Sequence, residues 1–270
     1  MLCQRCHAAQ VAPGGYCPSC GALSAWAPPP APYAPYLPPA PAPVRIPSGL
    51  ANALTVLLGL NALAQALALG AAAIEFVLFG QLETDPGGVD AQDARAADSF
   101  YAVTGVGGLL LLLATGVVFI VWFHRVRRNA AAFVPVGWHR LGPGWTIGAW
   151  FTPVVNLWFP KQIADDVWSA GDPATGAGPY RMKPTSGPPL VLWWWLAWVA
   201  GNLLSWVAVA IRSGTSVTDF SAMRWSYGID MAGALVSVAA AVLAIVMVRR
   251  ITTMQGVRHA MLNQPPAYRY

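Results

Sequence analysis

Long apolar runs separated by short polar breaks dominate the chain. The runs cover roughly 50–79, 101–123, 189–211 and 229–248. A helix needs about 20 apolar residues to cross the hydrocarbon core of a bilayer, and each run supplies them. The pattern predicts an all-α integral membrane bundle of about four transmembrane helices. A further apolar stretch, 144–160, is broken by Pro153, Asn156 and Pro160. Proline removes a helix donor and clashes with the preceding turn. This stretch is therefore expected to lie in, or dip into, the interface rather than cross. Trp138, Trp145, Trp150, Trp158 and Trp168 suit the headgroup level, as do Trp193, Trp194, Trp195 and Trp198 at the start of the third run. Pro160 is placed to open a short helix over 161–170.

Small and polar residues recur every three or four positions within the runs. Asn61, Gln65, Ala68, Ala72 and Glu75 fall on one stripe of the first span. Asp230, Gly233, Ser237, Ala240, Ala244 and Met247 do so on the fourth, and Thr104, Gly108 and Thr115 on the second. Such stripes predict helix–helix seams with left-handed crossings, because small residues let backbones approach within lipid. Glu75 and Asp230 end two of these seams at one level and form a candidate polar site in the membrane. Each could pair with Arg212 or Arg224. The sharper reading is an acidic vestibule for a cation or proton.

Composition agrees with the pattern. Hydrophobic residues make up 56% and charged residues 10% of the 270, against about 25% charged in soluble domains. The first apolar run begins near Leu50, so the first helix is expected to act as its own insertion signal. The net charge of +5 gains meaning from its distribution. Arg125, Arg127, Arg128, Arg140, Lys161, Arg181 and Lys183 lie between the second and third runs, and Arg249, Arg250, Arg258 and Arg269 follow the fourth. The loop over 80–100 holds Arg95 and five acids. The positive-inside rule puts both termini and the middle segment in the cytoplasm of a multi-pass protein. The basic excess then faces anionic lipid.

Four regions follow: a finger at 1–24, a proline-rich linker at 25–48, the membrane domain at 49–250 with its Trp-rich segment at 135–172, and a cytoplasmic tail at 251–270. The linker favours extended polyproline II, a spacer or a docking strip for a protein partner. In the finger, Cys3-Gln-Arg-Cys6 and Cys17-Pro-Ser-Cys20-Gly21 form two C-x-x-C knuckles. This spacing suits a four-cysteine Zn2+ site, a zinc ribbon, in which the metal supplies most of the folding energy. Disulfides would need an oxidising compartment, against the cytoplasmic placement. A redox motif would need a βαβ setting. His7 reads as a bystander. One arginine and one tyrosine make a poor nucleic-acid surface, so no nucleic acid is expected and protein docking is preferred.

The middle segment carries a family resemblance. Trp122, Arg125, Asn129, Ala130, Pro143, Gly144, Trp145, Trp150, Phe151, Pro153, Asn156, Leu157, Trp158, Pro160 and Trp168 fit a W-x-x-R-x-x-x-N-A, P-G-W, W-F-x-P-x-x-N-L-W pattern. A proline followed eight residues later by tryptophan completes it. This resembles the bacterial membrane family called domain of unknown function 4328, over roughly 50–248. The resemblance implies an actinobacterial cell-membrane protein; many members carry a similar finger and linker. It implies no catalytic residues. Arg125, Asn129, Trp145, Trp150, Pro153, Asn156, Trp158 and Trp168 become the candidate functional surface.

Three functions compete. A non-enzymatic scaffold or regulatory protein would use the bundle to hold a cytoplasmic platform, with the finger or linker meeting a partner. A small ion or solute transporter would join Asn61, Gln65, Asn202 and Glu75 around a cavity. A membrane enzyme would need titratable groups converging at one depth. No Ser-His-Asp set, phosphate loop or H-E-x-x-H motif stands in the sequence. The scaffold is the expected reading, with no catalytic residues and no oligomeric state implied.

Overall fold

A computed structural model describes residues 1–12, 15–23, 43–175 and 187–263. Most of the linker, the loop arginine and lysine at 181 and 183, Gly14 and the last seven positions lie outside them. The chain divides into two compact units, Met1–Pro41 and Ala42–Tyr270.

The larger unit is helical, with α1 (Ser48–Thr84), α2 (Ala91–Ala132), α3 (Trp145–Phe151), α4 (Phe159–Gly171), α5 (Pro189–Gly214) and α6 (Phe220–Leu262). Helices α1, α2, α5 and α6 are each long and apolar enough to cross a membrane. Asp90 caps α2 by accepting from the Gln92 N–H, and Asp219 caps α6 by accepting from the Ala222 N–H. Pro160 stands in the first turn of α4, as its sequence position predicts.

Side-chain contacts fix the directions. Thr55 near the start of α1 meets Arg249 near the end of α6, and Glu83 near the end of α1 meets Arg224 near the start of α6. These two helices are therefore antiparallel. Asn61 on α1 donates to Thr115 Oγ1 on α2 at 2.6 Å, and Arg45, just before α1, meets Asn129 late in α2. The starts of α1 and α5 thus share one end of the bundle with the ends of α2 and α6.

The predicted seams face partner helices. Ala72, Glu75 and Thr115 are buried, as are Gly233, Ala240, Ala244 and Met247. A Cβ on Gly201 of α5 would lie 2.7 Å from Ser237 Oγ on α6, so glycine lets the two helices approach without displacing that side chain.

The helices outrun the apolar runs that announced them. α6 continues through 251–262, where the sequence reading placed the start of a tail. Ile251, Thr252, Gln255 and Arg258 recur at helical spacing and are buried, so the extension has a packing face of its own. The Trp122 indole N–H donates to Thr252 Oγ1 at 3.1 Å across that face. The Trp-rich segment holds only the short α3 and α4 and a 3-10 turn at Val155–Leu157. None of these is long enough to cross.

Candidate metal centre and the polar ends of the bundle

In the finger, the two knuckles are near copies. Cys3 N–H donates to Ala9 O and His7 N–H to Cys3 O; Cys17 N–H donates to Ala22 O and Gly21 N–H to Cys17 O. Leu2 bridges to Gln10, and Tyr16 to Leu23. The residue after each second cysteine turns left-handed, Gly21 at φ 64° and His7 at φ 50°. Glycine takes that conformation freely and histidine does so at a cost. His7 thus holds a backbone position equivalent to Gly21.

The four sulfurs converge. Cys3 and Cys20 Sγ are 3.6 Å apart, as are Cys6 and Cys17 Sγ, and all four lie within 4.8 Å of one another. Disulfide sulfurs would sit about 2.05 Å apart. Backbone N–H groups of Arg5 and Cys6 hold the Cys3 thiol down at about 6. At Cys20 the Ala22 amide favours the thiolate, but the neighbouring sulfurs of Cys6, Cys3 and Cys17, with burial, push the thiol up to about 12. One thiolate forms readily and a fourth does not, unless a cation offsets their repulsion. The set can hold a metal ion.

Among the eight candidate residues of the middle block, the structure brings several to one end of the bundle and gives them different work. Asn129 is buried and acts as a clasp. Its Nδ2 donates to Arg45 O (2.9 Å) and Gln255 Oε1 (3.2 Å), its Oδ1 accepts from the Arg45 N–H, and Gln255 Nε2 donates on to Val126 O (2.8 Å). Trp150 packs edge-on against Phe119, Phe123, Trp195 and Trp198 and docks α3 on the bundle. Trp168 packs on the same core. Trp145 and Trp158 both meet the Phe159 ring. They are exposed together with Ile147, Phe151, Val154 and Leu157. Pro153 is exposed and Asn156 half-buried, its Oδ1 without a donor among the described residues. Arg125 is exposed and stands apart from these contacts.

Val154 explains the sharp bend there. Its φ of 68° and ψ of −59°, with Val155 N–H donating to Pro153 O at 2.8 Å, make a γ-turn of the rare strained hand. The Trp195 indole holds the turn by donating to Leu157 O at 3.0 Å.

Sequence reasoning missed the residues that brace this end. Arg140 binds Asp166 through its backbone N–H (2.9 Å) and its guanidinium (3.0 Å), and buried Arg127 donates to Leu141 O at 2.8 Å. Lys161 pairs with Asp165 at 2.7 Å. Burial pushes the Asp165 carboxyl up, and Lys161 and Arg140 pull it back in part. Only the run of basic residues hinted at these partners.

At the opposite end, Asp230 pairs with Arg212 at 2.6 Å and accepts from the Tyr101 hydroxyl at 2.5 Å. Arg212 also lies over the rings of Tyr101 and Tyr227. Glu75 does not join that pair: the acid that faces it is Asp98 of α2. Asn61 and Asn202 are not gathered with it, since Asn202 is exposed and donates to Trp198 O of its own helix. Tyr101 and Tyr227 were not singled out in the sequence, and Asp98 was counted only among the loop acids, because tyrosine and aspartate at helix ends are ordinary.

The middle block, α2 to α6, is the part that known families can be compared with. The profile of the family described as domain of unknown function (DUF4328) matches residues 85–253. The chain belongs to that family. The DUF4328 match spans α2–α5 and most of α6 and leaves α1 and the finger outside it, a narrower range than the resemblance suggested. Comparison with curated proteins and with solved structures returns no match.

Proposed function

We propose that this DUF4328 protein is a non-enzymatic scaffold or regulator of the bacterial cell membrane, which presents a zinc finger to a protein partner in the cytoplasm. The observation that carries the reading is the cluster of four cysteines in a compact unit distinct from the helical one. Zinc suits the donors. A tetrahedral zinc–thiolate site with bonds of about 2.3 Å has sulfur–sulfur edges of about 3.8 Å, close to the 3.6 Å separations here. Cys3, Cys6, Cys17 and Cys20 would hold the ion, whose role is to replace a core too small to form alone.

Two further features support the membrane-side reading. Trp145, Phe151, Val154, Leu157 and Trp158 of the middle segment are exposed, as are Arg125, Arg128, Arg249 and Arg250 late in α2 and α6. Aromatic and basic residues together suit an interface with anionic lipid headgroups. Buried Asn129 pairs with Arg45 and Gln255 at this end, which is the behaviour of a structural clasp. The competing transporter needs Asn61, Gln65, Asn202 and Glu75 around one cavity, whereas Asn61 bonds to Leu57 O and Thr115 and Asn202 to Trp198 O of its own helix.

The test is photo-cross-linking in cells from Ser19 in the finger of the full-length protein. A discrete protein adduct that disappears in Cys17→Ser is expected. No adduct, together with ion or solute movement by the purified protein in liposomes, overturns the reading.

A further inference from the structure

Four ionic groups at the α1–α2 loop end of the bundle are matched as two pairs: Asp230 with Arg212 and Glu83 with Arg224. Glu75 is left over. It is 1% exposed, and neither of its carboxylate oxygens accepts a hydrogen bond from any donor among the described residues. The group that faces it is another carboxyl, Asp98 of α2, within hydrogen-bond reach. Tyr227 of α6 stands nearby and Tyr101 of α2 is spent on Asp230. Arg95 precedes Asp98 by one turn but forms no ion pair with either acid among the described residues, while Arg212 of α5 and Arg224 of α6 are committed to their own partners.

Two facing carboxylates repel, and one buried in a membrane helix without donors is costly. A carboxyl can hydrogen-bond to a carboxylate only through a proton. A metal ion would need more oxygen ligands. Among the described residues, the one group of three or more metal-ligating side chains close enough for an ion is the cysteine set. The position of Asp98 supplies access. It is exposed, two turns into α2, whereas Glu75 is enclosed. We propose that Glu75 and Asp98 bind one proton between them, held on buried Glu75 and exchanged with the aqueous phase through Asp98. In that state the Glu75 hydroxyl donates to the Asp98 carboxylate, and the pair carries a single negative charge.

The composition makes this testable. Glu75 and Glu83 are the only glutamates in the chain. In full-length Glu83→Gln protein, reconstituted in lipid and labelled with 13C-glutamate, the isotope-shifted infrared signal comes from Glu75 alone. A shifted band of protonated carboxyl is expected at neutral pH, titrating away as pH rises. Asp98→Asn, a change at an exposed position, is expected to move the midpoint to lower pH by about one unit, because the like charge is gone. An ionised Glu75 throughout the pH range in which the fold holds would overturn the proposal. So would a midpoint indifferent to Asp98→Asn. Neither result bears on the zinc finger or its partner.

Discussion

At the scale of single residues, the finger shows one backbone turn filled by two different side chains. Gly21 and His7 occupy equivalent left-handed positions, which predicts opposite responses to substitution. Gly21→Val is expected to weaken the finger by about 1–2 kcal/mol, the cost of that conformation for a side chain. His7→Gly should leave metal binding intact or slightly tighter, since strain relief outweighs the added freedom of the unfolded chain only narrowly. Competition with a chromophoric chelator measures both. A large loss of metal in His7→Gly would make His7 a ligand. A second residue-level prediction concerns Asp165. Its folded-state affinity for protons is raised, chiefly by burial. Its contribution to stability is therefore fully present below the unfolded carboxylate value and is lost as pH rises through the folded one. Asp165→Asn keeps an acceptor for Lys161 and removes the buried charge. At neutral pH the variant should melt no lower than the parent, and up to about 2–4 °C higher for each 1 kcal/mol recovered. The gain should vanish in acid, and a thermal scan at two pH values decides it.

At the scale of elements, glycine separates seams from lipid-facing surfaces. Gly201→Leu would drive a side chain into Ser237 and part α5 from α6. Overpacking of this kind costs about 1–3 kcal/mol. Gly107 has open space where a Cβ would go, so Gly107→Leu should be neutral in the same detergent-unfolding assay. If both behave alike, the seams are misplaced. The seams were legible in the sequence because helical spacing of small residues survives in a single string. The four spans were legible for the same reason, from length and apolarity. The Arg140–Asp166 brace and the Asn129–Gln255 clasp were not. Their partners are 26 and 126 residues apart, and no local pattern marks a hydrogen bond between distant helices. The γ-turn at Val154 was hidden for another reason. A β-branched residue is the wrong sequence signal for positive φ, and the turn exists because Trp195 and the packing of α3 and α4 impose it. At the candidate metal centre the four cysteines that could hold an ion were readable from their spacing, whereas the equivalence of His7 and Gly21 needed the folded backbone.

At the scale of the whole molecule, the bundle settles which ends lie together and leaves the sidedness to charge. The ends of α2 and α6 and the starts of α1 and α5 share one face of the membrane by their contacts. Arg125, Arg128, Arg249 and Arg250 are exposed at that end, while the loop between α1 and α2 and the first turn of α2 carry Asp85, Asp90 and Asp93. Translocating basic segments is disfavoured and acidic ones contribute little. The basic end should therefore stay inside. Single cysteines at Gly87 and Val217, both in exposed loops, are expected to react with a membrane-impermeant maleimide in intact cells. A cysteine at exposed Val136 should react only after permeabilisation. The four native cysteines serve as an internal reference for the N-terminus: they should stay unlabelled in intact cells, and label after permeabilisation only when a chelator has stripped the metal. Labelling of Val136→Cys from outside would invert the protein. It would also place the finger in an oxidising compartment, where thiolates are exposed to disulfide formation, and so weaken the metal reading and the cytoplasmic partner together.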